Sequence, residues 1–179
     1  MPRVSVTFAC LLLLLSIAIA APAQVTVPKS APELSKLEYL LGNWISDSDV
    51  KASPMGPGGK VASNDAVQWM EGKFFLVMHS KYSGSMGDGT GLAIYGYDPD
   101  RKVYTYNMYN SWGEAGRSVG TMAGDTWTWN SDDAAGAQPF KGRYTMKVVS
   151  ATSYTYKYEM SKDGTNWTTV MEGKATKTQ

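Results

Sequence analysis

The sequence predicts an all-β domain: an antiparallel up-and-down β-barrel of roughly ten strands, preceded by one short helix. Three observations carry that expectation. Turn-forming clusters recur at nearly even spacing from Ser53 to Gly164. The runs between them are rich in Tyr, Trp, Thr and Val, residues that suit a pleated, half-buried surface. No connection is long enough for the crossover helix that parallel strands require.

The chain opens on an export pattern. Arg3 supplies a positive first region, Val4 to Ile19 an apolar run centred on Leu11 to Leu15, and Ala21-Pro22-Ala23 the small residues of a cleavage site. The expected cut falls before Gln24, with a cut after Ala20 as the alternative. The apolar run is short for a membrane anchor and has no basic flank after it. Residues 1–23 are therefore read as a signal peptide, 24–31 as an extended lead-in and 32–177 as a single β-barrel domain. The mature protein is expected to be secreted or periplasmic, with no membrane span after cleavage.

Composition narrows the function classes. Arg3 is the only charge in the signal segment, so the mature chain carries 16 basic and 16 acidic residues. That balance does not suit nucleic acid, whose phosphates call for a basic face. Cys10, the only cysteine, leaves with the signal, which excludes a disulfide framework, a thiolate nucleophile and a cysteine metal site.

Helical spacing is confined to Pro32–Leu41, where Leu34, Leu37, Leu40 and Leu41 form one apolar stripe, with Ser30 or Ser35 as the expected cap. Gly42 ends that segment. The strands then follow as Trp44–Ser53, Val61–Met70, Phe74–Tyr82, Thr90–Tyr97, Val103–Tyr109, Ala115–Met122, Thr126–Asn130, Phe140–Val149, Thr152–Ser161 and Trp167–Thr176. The loops include Ser53–Gly59, the Gly-rich Ser83–Gly91, Asp98-Pro99-Asp100-Arg101 and Ser131–Gly136. The helix is expected to plug one end of the barrel.

Alternation assigns the faces. Tyr154, Tyr156, Tyr158 and Met160 share one parity, against Thr155, Lys157 and Glu159 on the other. Trp127 and Trp129 oppose Thr126 and Thr128, and Trp167 and Met171 oppose Thr168, Glu172 and Lys174. The third strand is apolar on both parities near Phe74, which predicts cover on both sides there. A four-residue final hairpin loop would set Met160 beside Trp167, Tyr158 beside Thr169 and Tyr156 beside Met171. Trp167 and Tyr158 are then expected on one face, both mostly buried, with Glu159 and Glu172 in solvent.

Catalytic signatures are weak. His79 is the single histidine, and no His, Cys or carboxylate cluster has zinc-ligand spacing. His79 offers one axial ligand to a haem, but a partly exposed strand histidine is the plainer reading. Gly116-Arg117-Ser118-Val119-Gly120 matches a hydrolase nucleophile pattern, yet strand and turn surround it and the histidine precedes the serine. The Gly84–Gly91 loop lacks the Lys-Ser/Thr and the helix of a phosphate cradle. Asn166-Trp167-Thr168 is a glycosylation sequon. No catalytic residue, metal site or cofactor is expected.

Leu40-Leu41-Gly42-Asn43-Trp44 resembles the L-x-G-x-W opening of calycin-like (lipocalin-like) barrels. Met70-Glu71-Gly72-Lys73-Phe74-Phe75-Leu76, Tyr95-Gly96-Tyr97-Asp98 and Asp163-Gly164 with Trp167 and Val170-Met171-Glu172 are similar to a set of small bacterial secreted proteins. These are grouped as a domain of unknown function, family number 1579, and the similarity spans most of Leu34 to Thr176. The chain departs from the family where Tyr106-Asn107-Met108-Tyr109-Asn110 replaces a Trp-x-Asp, and where Lys177 stands near the usual final arginine. The resemblance implies a barrel and export, without a mechanism. Haem-binding relatives use a late-chain histidine, which is missing here.

The function expected first is binding of a small apolar or aromatic ligand in the lumen. Trp127, Trp129, Tyr154, Tyr156, Tyr158, Met171 and His79 are the candidate binding residues. The alternatives are a solid-core structural or protein-interaction module of the cell envelope and, last, an enzyme of unknown reaction.

Overall fold

The computed structural model describes residues 29–53, 56–85, 87–135 and 138–178, with the side chains of 134 and 135 excepted. The signal segment and residues 24–28 of the lead-in lie outside the described residues. So do Pro54 and Met55 of the first loop, Met86 of the Gly-rich loop, and residues 136 and 137.

A 3-10 helix over Pro32–Leu40 comes first. Ten strands follow: β1 Gly42–Val50, β2 Gly59–Trp69, β3 Leu76–Gly84, β4 Gly89–Asp98 and β5 Val103–Asn110, then β6 Ala115–Ala123, β7 Thr126–Ala135, β8 Gln138–Ser150, β9 Ser153–Ser161 and β10 Thr168–Lys177. Each strand pairs antiparallel with the next, and β10 returns to β1 through Trp44↔Lys177 to Val50↔Met171, closing the barrel. Closure leaves no strand edge to recruit a second chain.

The leucine spacing explains the helix type. Leu34, Leu37 and Leu40 recur every third residue and are all buried, which matches three residues per turn. Leu41 is only half-buried. Neither serine caps the helix: Ala31 is the N-cap, without a side-chain bond, and Ser35 Oγ donates to the Pro32 carbonyl at 2.7 Å. Gly42 has φ 103°, a conformation that favours glycine, so the chain turns there into β1.

The helix seals one end of the barrel. Its leucines pack with Trp44, Tyr104, Trp127, Trp129, Met146 and Tyr154 in one core cluster. Trp44 Nε1 donates to the Leu40 carbonyl at 2.8 Å, and the Tyr104 hydroxyl donates to the Glu33 carbonyl at 3.0 Å. These bonds satisfy polar tips that burial would otherwise leave unpaired.

Five further sequence expectations change. The Ser131–Gly136 loop is largely strand, because β7 runs to Ala135 and pairs with β8 down to Ala135↔Gln138. Phe75 is 44% exposed and lies over Gly96 on the outer face, so β3 lacks the second cover expected near Phe74. The final hairpin is looser than a four-residue loop: Met160 pairs with Thr168, a bulge falls between Thr169 and Met171, and Tyr158 then pairs with Met171. Trp167 consequently lies on the outer face, against Arg143, and not beside Tyr158. Glu159 on that outer face is 6% exposed, where solvent was expected.

Asp163 gives the physical reason for the wider loop. Its carboxylate accepts the backbone N–H groups of Thr165 and Asn166, each at 2.8 Å, and the Ser161 hydroxyl at 3.0 Å. Those bonds, the Asn166 backbone first, hold the Asp163 carboxyl well below the usual range. They wind the loop around one side chain, and the extra residue of the bulge then restores the parity that puts Met171 inside.

Candidate functional site

The inner wall alternates large rings with very small residues on neighbouring strands. A Cβ at Gly120 would collide with the Trp129 ring, one at Gly91 with the Tyr82 hydroxyl, and one at Gly142 with the Tyr158 hydroxyl. At Gly173 it would lie 2.6 Å from the Tyr156 hydroxyl. The rings therefore fold flat across adjacent glycines and pave the wall.

Trp127 and Trp129 stack with centroids 5.9 Å apart and planes 6° apart. Tyr95 meets Tyr106 at 4.9 Å and Trp129 at 5.6 Å, and Tyr144 stacks on Tyr156 at 5.6 Å. Burial pushes the hydroxyls of Tyr95, Tyr106, Tyr144 and Tyr154 up, so they stay protonated and neutral at physiological pH. Burial, then the Asp133 charge, pushes Tyr158 up to about 12. Yet Tyr95, Tyr106 and Tyr144, with Met108, Ser118, Tyr158 and Met171, are only half-buried.

A line of hydroxyls crosses the same wall. Ser46 and Ser63 share a hydrogen bond of 2.8 Å, and Ser63 Oγ donates to Asp65 Oδ2 at 3.0 Å. Ser80 stands opposite Asp65 on the inner face, and its hydroxyl lowers the pKa of both Asp65 and Tyr82 against the rise that burial causes. The Tyr156 hydroxyl is 2.6 Å from Ser48 Oγ. Burial raises the Asp65 carboxyl pKa, and the two serine bonds offset part of that rise. A cavity of about 30 Å³ lies beside Asp65, between Leu40, Trp44, Tyr95, Trp129 and Tyr154. That is room for one water molecule.

Six of the seven sequence-predicted site residues share the inner face. Trp127, Trp129, Tyr154 and Tyr156 are buried among the core rings, while Tyr158 and Met171 lie higher as a direct pair. His79 is not with them. It is exposed on the outer face, in a row that runs Asn43, Ala66, His79, Leu92 and Tyr109 across β1 to β5. This row floors an open groove of about 780 Å³. The sequence reading missed Asp65, Ser63 and Ser80. Asp65 shares the parity of Val61, Val67 and Trp69, and a carboxylate among apolar inward positions was the available signal.

Among the described residues, no group of three His, Cys, Asp or Glu side chains is placed to hold a metal ion. Among them, too, no helix is long and apolar enough to cross a membrane. The Asn166 amide of the sequon donates to Asp163 Oδ2 at 2.7 Å.

Fold and site together define a closed ten-stranded antiparallel barrel, sealed at one end by a helix and lined by tyrosine, tryptophan and a half-buried carboxylate. The chain belongs to the family described as "Protein of unknown function (DUF1579)", whose model matches residues 29–177. Among curated proteins nothing matches the sequence. Among solved structures, the fold is similar to that of Rv2717c from M. tuberculosis, with TM-score 0.58 and 14% identity over 84% of this chain and 100% of that one. It is also similar to the S-type phycobiliprotein lyase CPES from Guillardia theta, with TM-score 0.53 and 9% identity over 81% of this chain and 92% of that one. At these identities the likeness is one of fold.

Proposed function

We propose that this protein is an exported binding module that holds a small apolar or aromatic ligand in the barrel lumen. The observation that carries the reading is the state of Tyr95, Tyr106 and Tyr144. Their hydroxyls are pushed up by burial, yet these inner-face residues are only half-buried. A solid core leaves no such surface, whereas a binding site needs apolar walls with a few placed polar groups. Flat rings present such walls at low conformational cost. Export rests on the pattern of residues 1–23.

Native mass spectrometry of the mature protein from its own host tests the proposal first, with a co-purifying small molecule as the expected result. Titration with the neutral dye Nile red tests it independently of the natural ligand. Gly116 supplies the control, because it faces inward and a Cβ there meets only Met108 Cε at 3.8 Å, so Gly116→Phe directs a ring into the lumen from a position with room at its root. Saturable binding to the native chain, lost in Gly116→Phe at unchanged melting temperature, is expected. Failure of the dye to bind, or binding indifferent to the plug, would overturn the lumen reading.

A further inference from the structure

Asp65 stands midway along the inner face of β2 and faces the lumen half-buried. Its known partners are two hydroxyls, Ser63 and Ser80. The titratable groups turned toward it are all phenols: Tyr82 on β3, Tyr95 on β4, Tyr106 on β5 and Tyr154 on β9. Among the described residues, no lysine, arginine or histidine nitrogen forms an ion pair with Asp65; the ion pairs found there use Asp49, Asp132, Glu159 and Glu172. His79 and Lys81, its nearest basic neighbours in the strand pairing, lie on the outer face. Glu159 makes the contrast, since it holds two cations. A partly buried carboxylate without a counter-charge costs free energy that a bound cation would recover.

The walls around Asp65 add a second requirement. Trp44, Tyr95, Trp129 and Tyr154 surround the water-sized cavity beside it. Aromatic faces attract cations through their quadrupole, most strongly where water is excluded. A row of side chains runs from the rim to Asp65: Trp112, 41% exposed, stacks on Tyr82 at 5.5 Å and 22° in the space left by Gly89. Tyr82 and Asp65 both lie beside Ser80 on the inner face.

Resting on the lumen reading above, we infer that the occupant is an aromatic base, a flat ring system bearing a protonated nitrogen, and that Asp65 receives that nitrogen. The ring lies against the tyrosine wall, and the nitrogen head enters the cavity of about 30 Å³. A carboxylate bonded to a charged donor outweighs the same contact to a neutral amide, which sets the selectivity.

Benzamidinium, benzamide and benzoate match one another in ring and size and differ in charge. Each is titrated at neutral pH into the mature protein by ligand-observed NMR, with Nile red displacement read in parallel. Benzamidinium is expected to bind about 10- to 100-fold more tightly than benzamide, with benzoate weakest. Asp65→Asn should abolish that preference. Equal binding of benzamidinium and benzamide to the native chain, or a preference that survives Asp65→Asn, would refute the aromatic base; retained Nile red binding would then leave the lumen reading standing. Absence of Nile red binding to the native chain would remove both. If Asp65→Asn does not fold, the charge series on the native chain decides alone.

Discussion

The guanidinium carbon of Arg143 lies 4.0 Å from the centroid of the Trp167 ring. The same guanidinium donates from Nε to Glu159 Oε2 at 3.0 Å, and Lys157 Nζ donates to Glu159 Oε1 at 2.9 Å. One side chain thus ties the last hairpin loop to β8 and β9 on the outer wall. Burial pushes the Glu159 carboxyl up, but the bonds and charges of Lys157 and Arg143 together hold it below its ordinary value of 4.5.

A carboxylate with a lowered pKa contributes stability above its ordinary value and loses it as pH falls through the lowered one. Glu159→Gln should therefore cost about 2 kcal/mol at neutral pH, the worth of a charged hydrogen bond. The gap to the native chain should close below pH 4.5, as read by urea unfolding at several pH values. A constant gap would mean that Glu159 acts through packing alone. A double-mutant cycle of Arg143→Ala and Trp167→Ala should return a coupling of about 0.5–2 kcal/mol.

Asp65 has the opposite sign. Its carboxyl is raised from 3.8 by burial, so ionising it in the fold works against stability above the raised pKa. Asp65→Asn should stabilise the ligand-free protein at neutral pH by about 1–2 kcal/mol, the scale of one poorly compensated buried polar group. The advantage should vanish below pH 3.8, where both forms are neutral. A loss of stability at neutral pH would show that the serine bonds already compensate the charge.

Paired glycine substitutions on β6 test the paved wall. Gly120→Ala drives a Cβ into the ring of Trp129, itself 5% exposed, and should cost about 1–3 kcal/mol as overpacking. Gly116→Ala has free space and should stay within about 0.5 kcal/mol. Equal effects in thermal melts would argue that backbone entropy governs these positions instead of the rings.

The export reading makes its own prediction. Expressed in its host, the protein should be recovered outside the cytoplasm with Gln24 as its first residue, which intact-mass measurement checks. A mature chain starting at Ala21 would place the cut at the alternative site, and an uncut chain in the cytoplasm would overturn export.

Alternation and turn chemistry are local, and they made much of the barrel legible. Asp98 illustrates this: expected as a turn former, it accepts the N–H groups of Asp100 and Arg101 at 3.0 Å each. Tyr154 and Tyr156 could be placed inside because period-two alternation holds along one strand without knowledge of its neighbours. The third-residue spacing of Leu34, Leu37 and Leu40 marked the sealing helix in the same way.

Relations between strands were decided only in three dimensions. Trp167 could not be placed from its own strand, because the Asp163-centred loop and the Val170 bulge each shift register by a residue, and their sum depends on both. His79 and Tyr154 are both strand residues of a compact barrel, and only closure sets one outside and the other inside. Asp65 acquires its meaning from Ser80 and Tyr82 on β3, Tyr95 on β4 and Tyr154 on β9, residues distant in the chain that meet when β10 joins β1. The sequence by itself determined the number of strands, their order and the facing of most side chains, because those follow from contacts a few residues apart. The lumen and its carboxylate came from the tertiary structure, because a cavity exists only once all its walls are in place.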